Sequence, residues 1–389
     1  MSILTLGALN ENDTEFWLPS KEGNGLFFLD LKTSNYAQYV GNFDNCEKAG
    51  GWKIQKVISW KDKLYFFSRN SYEMWEIDRN LDIKHYEYMN QSVDMVANVE
   101  LCQDTVWLVS NTLENSILCL NLNDKRCERI DWNLPAGLEK SGVTTSVQYD
   151  GVIYFATRMK DNIYLVNIDC KTKKNAFEFV ERLSFINCIN IFEGHLYILG
   201  RNKGGDTVLV KYGLSSKKIE SEKLLHKIEP LEPTVLMNYL RMIIFDNQIF
   251  LIPGFAEKIV VYNLQSKKER VLEYPDGFHY KNRKIRQSMF FEVQQKQQDL
   301  YLFPHQAEQI LKLDLKTLQF ECIDVVCEKV QYDRMMAGML QNGEVVFEGE
   351  NITLDNLIKY IRTYDQKKYL KNTKYGEAVY YRLQEKGKF

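Results

Sequence analysis

The chain has 389 residues and a formal net charge of −2. That length exceeds one ordinary hydrophobic core, so several domains or a repeat architecture is expected. The balanced charge excludes a globally basic nucleic-acid or membrane-surface binder, and no run approaches the roughly 20 apolar residues of a membrane span. The N-terminal stretch MSILTLGALNENDTEF lacks a basic n-region and a long apolar core, so no signal peptide is expected.

Taken in order, the chain repeats one pattern. A turn leads into an alternating apolar run, a polar break, a second apolar run ending in Asp or Asn, and a basic turn. The cores are TEFWLPSKEGNGLFFLDLKTSNY, DKLYFFSRNSYEMWEIDRNLD, DTVWLVSNTLENSILCLNLNDKR, DGVIYFATRMKDNIYLVNIDCKT, GHLYILGRNKGGDTVLVKYGLSSKK, NQIFLIPGFAEKIVVYNLQSKKE and QDLYLFPHQAEQILKLDLKTLQF. Period-2 alternation bounded by turn residues is the signature of half-buried strands, and two such runs this close form a hairpin. The aligned aromatics are Phe16, Tyr65, Trp107, Tyr154, Tyr197, Phe250 and Tyr301, roughly 42 to 53 residues apart, which is the period of propeller blades. A short apolar run precedes most cores, as at Val57 to Trp60, Val99 to Cys102, Ser146 to Tyr149, Cys188 to Phe192 and Met242 to Phe245. A fourth run follows, as at Lys84 to Tyr88 or Glu269 to Tyr274.

Each unit therefore predicts four antiparallel strands. Such a meander has two apolar faces, and a radial arrangement buries both. The expected fold is an all-β propeller of seven blades over residues 1–350. A half-unit, Met335 to Gly349, leaves eight open: it would complete a blade with the run Ile3 to Ala8 or begin an incomplete eighth. From Asn351 the pattern becomes helical, with Leu354, Leu357, Ile358 and Ile361 on one face and Thr353 as an N-cap. Residues 351–389 are read as a basic helical extension packed on the propeller.

The pattern hLYhh…hhhhD/N with basic turns resembles the bacterial kelch-like and related propellers. The Gly-Gly pair of kelch repeats is missing from most units, and the Trp-Asp dipeptide of WD repeats is absent. The resemblance is to the superfamily, and fold alone does not imply function.

Up-and-down topology sorts the connections into two ends. Two-residue turns, at Lys61 and Asp62, Asp150 and Gly151, Glu193 and Gly194, and Asn342 and Gly343, define one end. The other end collects the long segments Phe43 to Gln55, Asp131 to Thr144, His226 to Arg241 and Pro275 to Ser288. Long loops on a rigid scaffold are where binding concentrates. A polar column follows the second strands at that end: Ser20, Arg69, Asn111, Arg158, Arg201, Gly254, His305 and, in the half-unit, Glu350. Arg241, His279, Arg283 and Arg334 lie nearby. These cations form a candidate channel mouth for a carboxylate or phosphate, which Arg contacts in bidentate fashion. The bland reading is that they are solvated or paired with neighbouring acids. Trp52 and Trp132, in loops, are candidates for stacking on a sugar or a partner side chain.

The eight cysteines form no C-x-x-C pair, and most lie in apolar runs. They read as reduced core thiols in a cytoplasmic protein. His85 and His195 read as structural, whereas His226, His279 and His305 fall at the long-loop end. No nucleophile elbow, H-E-x-x-H, phosphate loop or G-x-G-x-x-G is present, so no cofactor or metal is assigned. The function expected is a noncatalytic binding or scaffold propeller whose long-loop rim takes a protein, peptide or carbohydrate-like ligand. The alternative is a lyase or hydrolase acting on an anionic, saccharide-like substrate at the channel mouth.

Overall fold

The computed structural model describes residues 15–19, 25–43, 54–68, 71–78, 80, 82–89, 96–110, 116–131, 142–159, 162–180, 182–229, 231, 238–278, 289–304, 309–326, 328, 331, 344–347 and 350–353. Its described elements are strands, gathered into antiparallel meanders in chain order. Sheet 1 spans 15–42, sheet 2 spans 54–87, sheet 3 spans 96–131, sheet 4 spans 142–179, sheet 5 spans 183–224, sheet 6 spans 239–272 and sheet 7 spans 290–324. Sheets 2 to 7 have four strands. Sheet 1 has three among the described residues, Glu15–Pro19, Gly25–Asp30 and Gln38–Asn42.

Of the expected half-unit only 344–347 lies within the described residues, and Glu344–Phe347 pairs with Glu350–Thr353 as a hairpin. The strand thus runs to Thr353, and both the expected turn at Asn342 and Gly343 and the helical reading beyond Thr353 fall outside the described residues.

The chain divides into two compact units. One contains sheets 1 and 2, the terminal hairpin and the segments 308–310 and 323–331. The other contains sheets 3 to 6 and most of sheet 7. Within each unit, neighbouring sheets bury their apolar faces against each other. Trp17 and Leu26 of sheet 1 meet Leu64, Phe66, Trp75 and Ile77 of sheet 2. Trp107, Val109 and Cys119 of sheet 3 meet Ile153, Phe155 and Val166 of sheet 4. Similar layers join sheets 4 and 5, 5 and 6, and 6 and 7. In sheets 2 to 7 the repeated aromatics occupy second strands as expected, Phe16 lies in the first described strand of sheet 1, and Phe16, Tyr65, Trp107, Tyr197, Phe250 and Tyr301 are buried. Each side chain of this size contributes about 1.5–3 kcal/mol on burial.

Two turn types recur at one end of the sheets. The turns joining first to second strands have consecutive positive φ at Lys61 and Asp62, Asp150 and Gly151, Glu193 and Gly194, and Asp246 and Asn247. That is the type I′ geometry, whose twist matches the flanking strands. The turns joining third to fourth strands begin with Asp or Asn. Asp169 Oδ1 accepts the N–H groups of Lys171 (3.0 Å) and Thr172 (2.7 Å), and Asp314 Oδ1 those of Lys316 and Thr317 (both 2.8 Å). Asn121 and Asn263 do the same in sheets 3 and 6. Four residues on, Lys125, Lys173, Lys217, Lys267 and Leu318 take positive φ and donate back to the residue that opens the turn.

The residue after the opening one then ties the two turn types together. Leu122, Cys170, Leu214, Leu264 and Leu315 donate their N–H groups to the carbonyls of Asp104, Gly151, Gly194, Asn247 and Gln298, at 2.8 to 3.2 Å.

Asp169 and Asp314 both titrate below their ordinary 3.8, chiefly because the Thr172 and Thr317 N–H groups favour the charged form. A depressed folded value means the contribution is complete above that ordinary value and is lost as pH falls through the folded one. Asp169→Ala and Asp314→Ala are expected to lower the thermal midpoint at pH 7, whereas the Asn variants, which copy Asn121 and Asn263, retain most of it. Melting curves taken down the acid range should show the gap between wild type and the Ala variants closing below about pH 3.8.

Candidate functional site

In the larger unit the first strands of sheets 3 to 7 lie side by side: Val96–Cys102, Gly142–Tyr149, Leu183–Phe192, Tyr239–Phe245 and Phe290–Lys296. They form the inner wall, and polar side chains join them. Ser146 Oγ donates to Glu100 Oε1 (2.5 Å) and Gln148 Nε2 approaches Cys102 Sγ (3.9 Å). Asn190 Nδ2 donates to the Met242 carbonyl at 2.7 Å. Asn187, only 3% exposed, makes two bonds to one backbone unit: Tyr239 N–H donates to its Oδ1 (2.9 Å) and its Nδ2 donates to the Tyr239 carbonyl (3.3 Å). The side-chain amide thereby imitates a strand neighbour between sheets 5 and 6.

Each of these strands begins with a register shift. The irregularities fall between Val96 and Asn98, Val143 and Thr145, Leu183 and Phe185, Tyr239 and Arg241, and Phe290 and Glu292. In the smaller unit, Ile54 to Lys56 repeats the feature. A bulge re-aims the residues beyond it and bends the strand. These bulges stand at the long-linker end, where the chain enters each sheet. They also explain why the first strands start earlier than the apolar runs suggested: the alternation changes phase at the extra residue. The bulged Ser184 uses its hydroxyl to donate to the carbonyls of Arg201 (3.2 Å) and Asn202 (3.0 Å).

The linker after sheet 5 is fixed from beneath. Leu225, Ile228 and Leu231 are buried in the layer shared by sheets 5 and 6. The Glu269 carboxylate accepts the N–H groups of His226 (2.9 Å) and Lys227 (2.7 Å), and Glu229 accepts that of Glu257 (2.6 Å). After sheet 6, Phe278 is buried against Tyr274 and Phe290. The His226, Lys227 and Glu257 side chains are exposed above these anchors.

Of the expected channel-mouth residues, two can be followed to their side chains. Arg201 ends the second strand of sheet 5 and folds over its own loop, its Nε donating to the Gly205 carbonyl at 2.9 Å. Gly205 has φ +95°, and a Cβ there would stand 3.1 Å from the guanidinium, so the glycine is required twice over. Arg201 positions a loop. Arg241, half-buried beyond its bulge, faces Cys188; burial pushes that thiol up to about 12 against the pull of the Arg241 charge. Arg158 lies in the strand Val152–Met159, opposite Gly142 and Ile163. Gly254 is buried, its N–H donating to the Asn238 carbonyl. Arg69, Asn111, His279, Arg283, His305, Arg334, Trp52 and Trp132 lie outside the described residues.

His85 stacks on Trp75 and stands 3.6 Å from Glu73, and His195 Nε2 stands 3.1 Å from Glu220. Among the described residues no group of three or more His, Cys, Asp or Glu is placed to hold a metal, and six cysteines are free. Asn187, Glu269 and the bulges were not singled out from sequence. The one signal was the pair of polar residues, Asn187 and Asn190, inside the apolar run FINCINIF.

No protein-family model and no curated protein matches the chain. Solved structures do. A streptogramin B lyase aligns over 82% of this chain and 93% of its own, at 11% identity and a TM-score of 0.55. A catalytically inactive His-to-Ala variant of virginiamycin B lyase from Staphylococcus aureus, with quinupristin, aligns over 78% and 92%, at 10% identity and 0.56. A chain of a mitotic checkpoint complex aligns over 78% and 83%, at 8% identity and 0.52. Identities this low speak to the fold alone: a seven-bladed β-propeller of antiparallel blades.

Asn187→Ala leaves the buried Tyr239 N–H and carbonyl without these partners. It is expected to cost roughly 1–3 kcal/mol, read as a lower denaturant midpoint with an unchanged slope.

Proposed function

We propose that this chain is a noncatalytic binding propeller whose long-linker end takes a protein, peptide or carbohydrate-like ligand. One observation carries the reading. The described start of the linker after sheet 5 is held by three buried apolar side chains and two carboxylate clasps, yet His226 and Lys227 stay exposed there, with Glu257 exposed in the adjoining loop of sheet 6. A surface pre-ordered in this way binds without first losing loop entropy. Exposed Lys258, paired with Glu273 at 2.7 Å, extends the polar rim. The free thiols agree with a reducing compartment, and the cytoplasmic assignment is part of the proposal.

A second reading, an enzyme acting on an anionic substrate, rests on Arg241. Among the described residues its side chain has neither an ion pair nor a hydrogen bond, and it lies in the first strand of sheet 6 beyond a bulge. Two of the similar folds are lyases and one belongs to a checkpoint assembly, so proteins of both kinds use this architecture.

Capture on the immobilised full chain followed by cross-linking mass spectrometry separates the readings. Binding at the rim predicts partner cross-links at Lys227 and Lys258, reduced at least tenfold by the paired charge reversals Lys227→Glu and Glu257→Lys. Cross-links confined to the short-turn end would contradict it. Turnover of an anionic compound that is lost in Arg241→Ala would favour the enzyme instead.

A further inference from the structure

The smaller unit carries a concavity of about 370 Å³ lined by Ser34, Tyr36, Ala37, Gln38, Glu328 and Gln331. It sits at the turn between the strands Gly25–Asp30 and Gln38–Asn42 of sheet 1, away from the linker that the rim reading uses. Two stretches of chain nearly 300 residues apart build it. Tyr36 and Val326 form a parallel bridge. Ala37 N–H donates to the Val326 carbonyl (2.8 Å), and Val326 N–H donates to the Asn35 carbonyl (2.9 Å). Asn35 Nδ2 donates to the Asp324 carbonyl (2.9 Å), and Tyr39 N–H donates to Gln331 Oε1 (3.1 Å). The bonds at Tyr36, Ala37 and Val326 are made by backbone groups, so the floor there does not depend on the Tyr36 ring.

Tyr36 is 45% exposed, the most exposed of the large apolar side chains among the described residues, and the fold makes little use of its ring. Around it stand groups with hydrogen-bonding capacity of both kinds. Ser34 Oγ accepts the Tyr36 N–H at 3.3 Å, so its O–H can donate outward. Gln331 engages its Oε1, so its amide N–H groups face a different partner. The exposed Gln38 offers a donor and an acceptor, and Glu328 brings an acidic acceptor.

An aromatic face ringed by mixed donors and acceptors matches a molecule with a C–H face and a hydroxyl edge. We propose that this concavity is a saccharide-binding site, with the sugar ring packed on Tyr36 and its hydroxyls shared among Ser34, Gln38, Gln331 and Glu328. The volume lies in the range of small-ligand sites.

The test is saturation-transfer NMR of the full chain with glucose, galactose, mannose, N-acetylglucosamine and cellobiose at millimolar concentration. Transfer to at least one sugar is expected. Tyr36→Ala should weaken it about tenfold, the loss of an aromatic contact plus its buried area, while Tyr36→Phe keeps the ring and most of the binding. Both variants should melt with the wild type, because the bonds at this position are made by the backbone. The site is refuted by silence from all five sugars, by equal binding in wild type and Tyr36→Ala, or by transfer only to arginine, abolished in Glu328→Gln. None of these outcomes bears on the long-linker rim, which has its own cross-linking readout.

Discussion

The latch between neighbouring turns is the constraint on which the sheets depend. A strand pair alone does not say where its outer neighbour must turn back. Here the residue after the opening Asp, Asn or Gly donates to a carbonyl of the first-to-second turn, and it does so in sheets 3 to 7. One hydrogen bond per sheet therefore sets both turns at the same height. The Asx oxygen fixes the next two amides, and the positive-φ residue reverses the chain. Sheet 5 shows how local the chemistry is. Gly213 replaces the Asx residue, and the space its side chain would fill is taken by Ser216 and Glu220. The backbone bonds of Leu214 and Lys217 survive the replacement.

Anchoring one end leaves the other free to vary. Bulges open each first strand at that end, and linkers of different length join the sheets there. Fixed side chains then decide which linkers are rigid. Glu269 illustrates the coupling: it begins the fourth strand of sheet 6, yet its carboxylate holds the first residues of the linker before that sheet. Strand register, set by turn chemistry, thus controls the placement of the exposed side chains of His226 and Lys227. The functional proposal follows from this transfer of order from scaffold to rim.

Much of this was legible in the sequence because the signals were local. Alternation and terminal Asp or Asn marked the second and third strands, and the dipeptides at Lys61, Asp150 and Glu193 marked the I′ turns. The bulges were not legible, since one extra residue shifts the alternation without leaving a composition signature. Asn187 was hidden for a related reason: its partner is a backbone group 52 residues away. The polar column that includes Arg201 reads in sequence as a candidate channel mouth for an anion, or as solvated and paired side chains. The guanidinium that can be followed instead closes on a glycine carbonyl in its own loop, a choice set by the φ of Gly205, which residue type alone does not specify. Tyr36 was overlooked because its neighbours, Glu328 and Gln331, are remote in sequence.

Residue-resolved hydrogen exchange tests the central claim most directly. If the latch organises the sheets, the amides of Leu122, Cys170, Leu214, Leu264 and Leu315 exchange as slowly as those of the strands they join. Ser215, the neighbour of Leu214 in the turn that opens with Gly213 and so lacks an Asx oxygen, exchanges quickly. Rapid exchange at all five latch amides, with the strands still protected, would show that the turns are passive connections and would contradict the account.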